Sequence, residues 1–164
     1  MLKTVKTDYL LKMDTILCSI DGRPEITNKC RGEGTYERIM ENVECIKAKG
    51  YQNDIVARMT VSTSQGGDIY EEVMHLIKQG FKHVHWQLDC NWDTPDDDRI
   101  KEWCEWRDTS YNPGITRLAD AFEDALVKEK KILPIAPFTG VLYSMLIGEK
   151  VTGVRCGSGM TSFK

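Results

Sequence analysis

Along the chain, short β-rich runs take turns with longer stretches whose apolar positions recur every three to four residues, the pattern of strand–helix units. Residues 14–21 (DTILCSID) predict a first strand. Residues 35–49 predict a helix with Thr35 as its N-cap, a stripe of Ile39, Val43 and Ile46, and Gly50 at its end. A second unit follows, with a strand over 54–62 (DIVARMTVS), a Gly66-Gly67 turn, Asp68 as N-cap and a helix over 69–79 stopped by Gly80. A third strand is predicted over 81–88. Between 89 and 114 the pattern breaks into a Trp-rich acidic stretch, read as a loop with one short helix over 99–107. Regularity then resumes with a helix over 115–130, a short strand over 131–136 whose prolines suit an edge or a strand end, and a last helix over 139–148.

The strand faces narrow the fold class. With a side-chain period of two, Ile16, Cys18 and Ile20 share one face of the first strand and Thr15, Leu17, Ser19 and Asp21 the other. The second strand sets Ile55, Ala57, Met59 and Val61 against Val56, Arg58, Thr60 and Ser62. The third sets Val84, Trp86 and Leu88 against His83, His85, Gln87 and Asp89. A doubly wound sheet covered on both faces would give continuously apolar strands. Here one face is apolar and the other turns polar toward its C-terminal end, which is costly to bury dry and suits a wet cavity at the carboxyl ends of parallel strands. The expected fold is therefore α/β, a partial (β/α) barrel with mostly parallel strands.

Composition places this fold in one globular unit of 164 residues with 41% hydrophobic positions. The 22 Lys and Arg are scattered among 25 Asp and Glu, for a net charge of −3, which argues against nucleic acid or a membrane surface as partner. The longest apolar runs, 132–136 and 140–147, fall short of the ~20 residues of a spanning helix. The first thirteen residues hold no signal-peptide pattern, so the expected location is the cytoplasm. There Cys18, Cys30, Cys45, Cys90, Cys104 and Cys156 are expected to stay reduced, and none of their spacings makes a metal clip.

Several residues on the polar faces could carry chemistry. Ser19 and Asp21 could accept from the hydroxyls or ammonium group of a ligand, or Asp21 could cap the turn at Gly22 and Pro24. Arg58, a charge in mid-strand, requires a partner: a ligand carboxylate, or a structural one in Asp21 or Asp89. His83 and His85 lack a third metal ligand and read as polar cavity lining. Asp96, Asp97 and Asp98 lack the spacing of a calcium loop. Gly32-Glu33-Gly34 lacks the Lys-Ser/Thr of a phosphate loop. Trp86, Trp92, Trp103 and Trp106 read as core and loop anchors.

The run Leu17-Cys18-Ser19-Ile20-Asp21-Gly22-Arg23-Pro24-Glu25, then Arg31-Gly32 and Gly34-Thr35-Tyr36 before a helix, then Ala57-Arg58-Met59-Thr60-Val61, resembles the second half of a radical S-adenosylmethionine (SAM) enzyme. Members read S-[IL]-D-G-x-P at the fourth barrel strand, followed by an Arg and a Gly-x-G-[ST]-[FY] helix start. The likeness is to the peptide-modifying group with a C-terminal SPASM extension, which includes the anaerobic sulfatase-maturating enzymes. It extends from about Thr7 to the end.

The resemblance implies SAM beside Ser19 and Asp21, with Arg58 on its carboxylate and Arg31 as the rival for that role, and with Gln87 and Leu88 beside the adenine. It implies a peptide or protein substrate, and reductive cleavage of SAM to a 5′-deoxyadenosyl radical by a [4Fe–4S] cluster. Cys156-Gly157-Ser158-Gly159 resembles the opening of the SPASM segment, whose first cysteine helps to hold an auxiliary cluster, so residues 1–152 would be partial barrel and 153–164 the start of that segment. The CxxxCxxC loop that holds the radical-forming cluster does not occur in these 164 residues. The expectation is thus a central piece of a larger enzyme, inactive alone and able to associate with another copy through an exposed sheet edge. The competing expectation is a non-catalytic α/β domain that binds a small ligand or partner on the same polar face.

Overall fold

The computed structural model describes residues 4–89 and 97–148. Expectations resting on Cys90, Trp92, Asp96, Cys156 and the segment 153–164 lie outside the described residues, as does the side chain of Asp97.

The alternating apolar positions do form strands: β1 (Thr15–Ser19), β2 (Asp54–Val61) and β3 (His83–Leu88), in that spatial order and parallel throughout. Helices make the crossovers that parallel strands need: α1 (Thr7–Leu10) leads in, α2 (Pro24–Arg31) and α3 (Thr35–Ala48) join β1 to β2, and α4 (Ile69–Lys78) joins β2 to β3. After β3 come α5 (Asp97–Trp106), α6 (Asn112–Lys128) and α7 (Ala136–Ile147).

One face of the sheet supplies the core. Ile16, Cys18, Ile55, Ala57, Met59, Val84 and Trp86 are buried against Val43 and Ile46 of α3, Ile69, Val73 and Leu76 of α4, and Leu118 of α6. The opposite face is open, with Leu17 59% exposed. The strand registers thus fix the same face division that the alternation predicts, because a shift by one residue would turn every apolar side chain outward. Asp68 caps α4 as its position implies, accepting from the amides of Tyr70 and Glu71. Among the described residues no helix is long and apolar enough to cross a membrane.

Four expectations change. Gly34, in the left-handed region at φ +70°, occupies the N-cap of α3, and Thr35 is already helical, its hydroxyl donating to the Arg31 carbonyl. Pro24, expected with Gly22 to end the first strand in a turn, instead opens a helix over residues 24–31, since it pre-sets the helical φ in the first turn and Glu25, Lys29 and Arg31 complement the helix dipole. The acidic stretch is more helical than expected: α5 continues through one wider π-type turn (Arg107–Tyr111) directly into α6. The strand expected over 131–136 is reduced to a single parallel bridge of Ile135 to Val84, whose amide donates to the Pro134 carbonyl at 2.8 Å. Pro134 has no N–H for a ladder, and α7 starts at once with Pro137 in its first turn.

Candidate functional site

The three strands bring their polar side chains together on the open face. Ser19 of β1 is in register with Arg58 of β2, and Arg58 with His85 of β3, so the three form one row across the sheet. The next row of the open face, toward the carboxyl ends, pairs Thr60 with Gln87; Val61 and Leu88, also in register, belong to the covered face, with Leu88 half-buried against the core. A depression of about 230 Å³ lies on this face, lined by Leu17, Val56, Arg58 and His85. Its lining combines two aliphatic side chains with a guanidinium and an imidazole.

Arg58 takes neither of its two expected structural partners. Its Nη2 donates to Gln87 Oε1 at 2.8 Å, and the side chain is exposed. Among the described residues no carboxylate pairs with this guanidinium, whose charge and fork of N–H groups suit a carboxylate ligand. His83 leans instead on Asp54, Nε2 to Oδ2 3.6 Å, at the amino end of β2. Among the described residues no group of three or more His, Cys, Asp or Glu side chains could hold a metal ion.

Asp21 is not on the open face. β1 ends at Ser19, the period of two ends with it, and the chain turns inward so that Asp21 is 2% exposed. Its carboxylate clasps Arg31 in a bidentate pair, Oδ2 to Nε 2.6 Å and Oδ1 to Nη2 2.8 Å, and Oδ1 also accepts from the Thr60 amide at 2.9 Å. The Ile20 amide donates to the Arg58 carbonyl at 3.2 Å, so the Asp21 side chain supplies the next acceptor of the β1–β2 ladder after the main chain has turned away. Thr27 closes the same turn, accepting from the Asp21 amide and donating to the Gly22 carbonyl, both at 3.1 Å. Arg31 is therefore engaged by Asp21, which weakens its case as the rival of Arg58.

A second buried carboxylate escaped the sequence reading. Glu72 of α4 is 2% exposed, and its oxygens accept from the Arg23 amide at 2.6 Å, from Arg23 Nε at 3.0 Å and from Nη2 at 2.7 Å. This bonding holds the Arg23 guanidinium above its ordinary pKa. Gly22 lies against it at φ +127°, where a Cβ would stand 2.2 Å from Glu72 Oε2, so both conformation and space demand glycine. The available signal was Glu72 on the stripe of Ile69, Val73 and Leu76: a carboxylate on the apolar face of a helix implies a buried partner.

Elsewhere in the helix layer the Tyr36 hydroxyl and His75 Nε2 are 2.8 Å apart, joining α3 to α4. Burial pushes the His75 imidazole below its ordinary pKa and the Tyr36 phenol above its own. Trp86 is buried and donates Nε1–H to the Tyr111 hydroxyl at 2.9 Å, and Trp106 stacks on Tyr111 at 5.2 Å, which makes these tryptophans anchors. Burial pushes the Cys18 thiol to about 11, an inert core group.

Neither a protein-family model nor a curated protein matches the sequence significantly. Solved structures do match the fold. "Native anSMEcpe with bound AdoMet" superposes with a TM-score of 0.65 at 18% identity, over 92% of this chain and 42% of that one. A histidine-tagged form of anSMEcpe, also with bound AdoMet, gives 0.68 at 16% identity, with the same coverage of 92% and 42%. The native enzyme with both AdoMet and a peptide bound gives 0.63 at 16% identity, over 92% and 43%. The chain therefore spans less than half the length of these solved chains. The fold expected from the Ser-Ile-Asp-Gly-x-Pro likeness is thus found: this chain has the fold of a part of the anSMEcpe structures, those of an anaerobic sulfatase-maturating enzyme of the radical SAM, SPASM type.

Proposed function

We propose that this chain is the SAM-binding part of a radical SAM enzyme that modifies a peptide or protein, with the methionyl carboxylate of SAM held by Arg58. The row Ser19–Arg58–His85 on the open sheet face carries this reading, because it sets a guanidinium with no carboxylate partner among the described residues next to the hydroxyl of the last residue of β1. In the proposal Ser19 donates or accepts beside the methionyl group, Arg58 forks onto the carboxylate, and Gln87 and Leu88 border the adenine. Asp21 and Arg31 act from behind by fixing the turn that follows Ser19. The solved structures of like fold hold AdoMet, and in two cases a peptide as well, which supports the ligand and the substrate class.

SAM bound at such a site supplies the group from which radical chemistry starts. The cluster that drives it does not fit the residues present. No CxxxCxxC occurs in the sequence, and the described residues bring no three candidate ligands together. The chain alone is accordingly proposed to bind SAM without cleaving it. Association with a further copy belongs to the same proposal, since the outer edge of β1 carries no strand partner among the described residues.

The test is calorimetric titration of SAM into the chain and into Arg58→Ala. One charge-assisted contact removed corresponds to about 1.5–3 kcal/mol, so the Kd should rise roughly 10- to 150-fold. Arg58 is solvent-exposed and, among the described residues, its side chain bonds only to a neutral amide, so the melting temperature should stay within the range of a surface substitution. Equal affinity in the two proteins, or a large loss of stability in the variant, would remove Arg58 from the site.

A further inference from the structure

Glu72 touches no part of the open face. The cavity between it and Asp21 measures about 10 Å³, no more than the room a single water needs, so a ligand cannot reach its carboxylate there. All three hydrogen bonds found for its oxygens go to Arg23, and Gly22 packs against the same group. The loop after β2 closes on it from the other side: a Cβ at Gly67 would stand 3.2 Å from Glu72 Cγ and Oε1. Lys29 of α2 then reaches across to that loop, donating to the carbonyls of Ser64 at 3.0 Å and Gln65 at 3.1 Å.

We infer that Glu72 is a positioning residue that locks the two loops at the carboxyl end of the sheet, residues 21–24 and 62–68, into one rigid rim. The chain of contacts is continuous. Glu72 fixes the Arg23 amide and Gly22; Gly22 and Thr27 fix the backbone of Asp21; the Asp21 carboxylate then holds the Thr60 amide and the Arg31 guanidinium. A buried carboxylate with every bond directed at one turn is costly to leave unpaired, because the space beside it has room for one water at most. Ser19 sits at one end of this chain and Arg58 lies two residues before Thr60, so the rim sets the spacing of the residues proposed to hold SAM. The ligand part of the inference rests on the function proposed above; the mechanical part does not.

The test compares the chain with Glu72→Gln, which keeps shape and one acceptor but loses the charge, and with Glu72→Ala. Amide hydrogen exchange read residue by residue should quicken at least about fivefold in Glu72→Gln at both Arg23 and Thr60, the latter having no contact with Glu72, while Val84 in the sheet centre keeps its rate. SAM affinity should fall about 3- to 10-fold in the same variant, and further in Glu72→Ala if that variant folds. Faster exchange at Arg23 alone would reduce Glu72 to a local clamp and overturn the inference, as would equal quickening at Val84, which marks general loosening. If the unaltered chain binds no SAM, the proposed function fails while exchange at Thr60 still decides the role of Glu72.

Discussion

Replacing Asp21 with Asn probes the support behind the open face without altering the face itself. The carboxylate accepts three hydrogen bonds, from Arg31 Nε at 2.6 Å, Arg31 Nη2 at 2.8 Å and the Thr60 amide at 2.9 Å. An Asn of the same shape has one oxygen. Turned to keep Thr60 and Nη2, it points its NH2 group at the Arg31 Nε–H, donor against donor, and the surviving guanidinium contact is no longer charge-assisted. Breaking a fully buried ion pair costs about 3–5 kcal/mol, and an exposed one costs less than about 1 kcal/mol. The Arg31 side chain is 28% exposed against 1% for Asp21, so the freed cation regains part of its hydration while the carboxylate site stays dry. The expected loss is about 2–4 kcal/mol, which for a chain of this size lowers the melting temperature by roughly 5–15 °C. Urea and thermal unfolding followed by far-UV circular dichroism measure it. A change below about 0.5 kcal/mol, the range of an ordinary surface substitution, would refute the reading of Asp21 as a buried structural carboxylate.

His75 gives a pH dependence of defined sign. Its imidazole is held below its ordinary pKa chiefly by burial, so the unfolded chain binds more protons below about pH 6.5, and the stability this group contributes is present above that value and lost as the pH falls through the folded-state pKa. His75→Gln should flatten the melting temperature between pH 7 and pH 5; an unchanged slope would assign the dependence elsewhere. Cys18, buried and with its thiol pushed to about 11, should stay unlabelled by maleimide at pH 7.5 in the folded chain, while exposed Cys30 reacts, as peptide mass mapping would show. Labelling of Cys18 at the rate of Cys30 would mean that the sheet's covered face opens readily.

The faces of the sheet were legible because a strand's alternation is a local property and the helix layer buries only one parity of it, as Ile16, Cys18, Ile55, Ala57, Met59, Val84 and Trp86 illustrate. The row of Ser19, Arg58 and His85 followed from the same logic once the strands were parallel and adjacent. Asp21 was misplaced because the alternation was carried two residues past the end of β1, into a turn whose course is set by Gly22, Thr27 and Glu72. Pro24 misled for a related reason: the same fixed φ serves a turn and the first turn of a helix, and only the Glu25 to Arg31 charge order distinguishes them. The pairs Asp21–Arg31 and Arg23–Glu72 join residues 10 and 49 positions apart. The first lay within reach of a helix reading of residues 24–31. The second depends on how α4 packs on the turn, which no local pattern encodes. Residues 131–136 read as a strand because β propensity does not count available N–H groups, and Pro134 leaves too few for a ladder.

The central claim is that SAM binds the open, polar face at the carboxyl ends of β1, β2 and β3. Titrating SAM into the isotopically labelled chain and following every backbone amide by nuclear magnetic resonance tests it most directly. Saturable shifts are predicted, concentrated at Ser19, Arg58, Gln87 and Leu88, with the amides of α3 and of the covered sheet face, such as Ala57, little changed. An absence of shifts at millimolar SAM, or shifts confined to the helix layer, would contradict the claim.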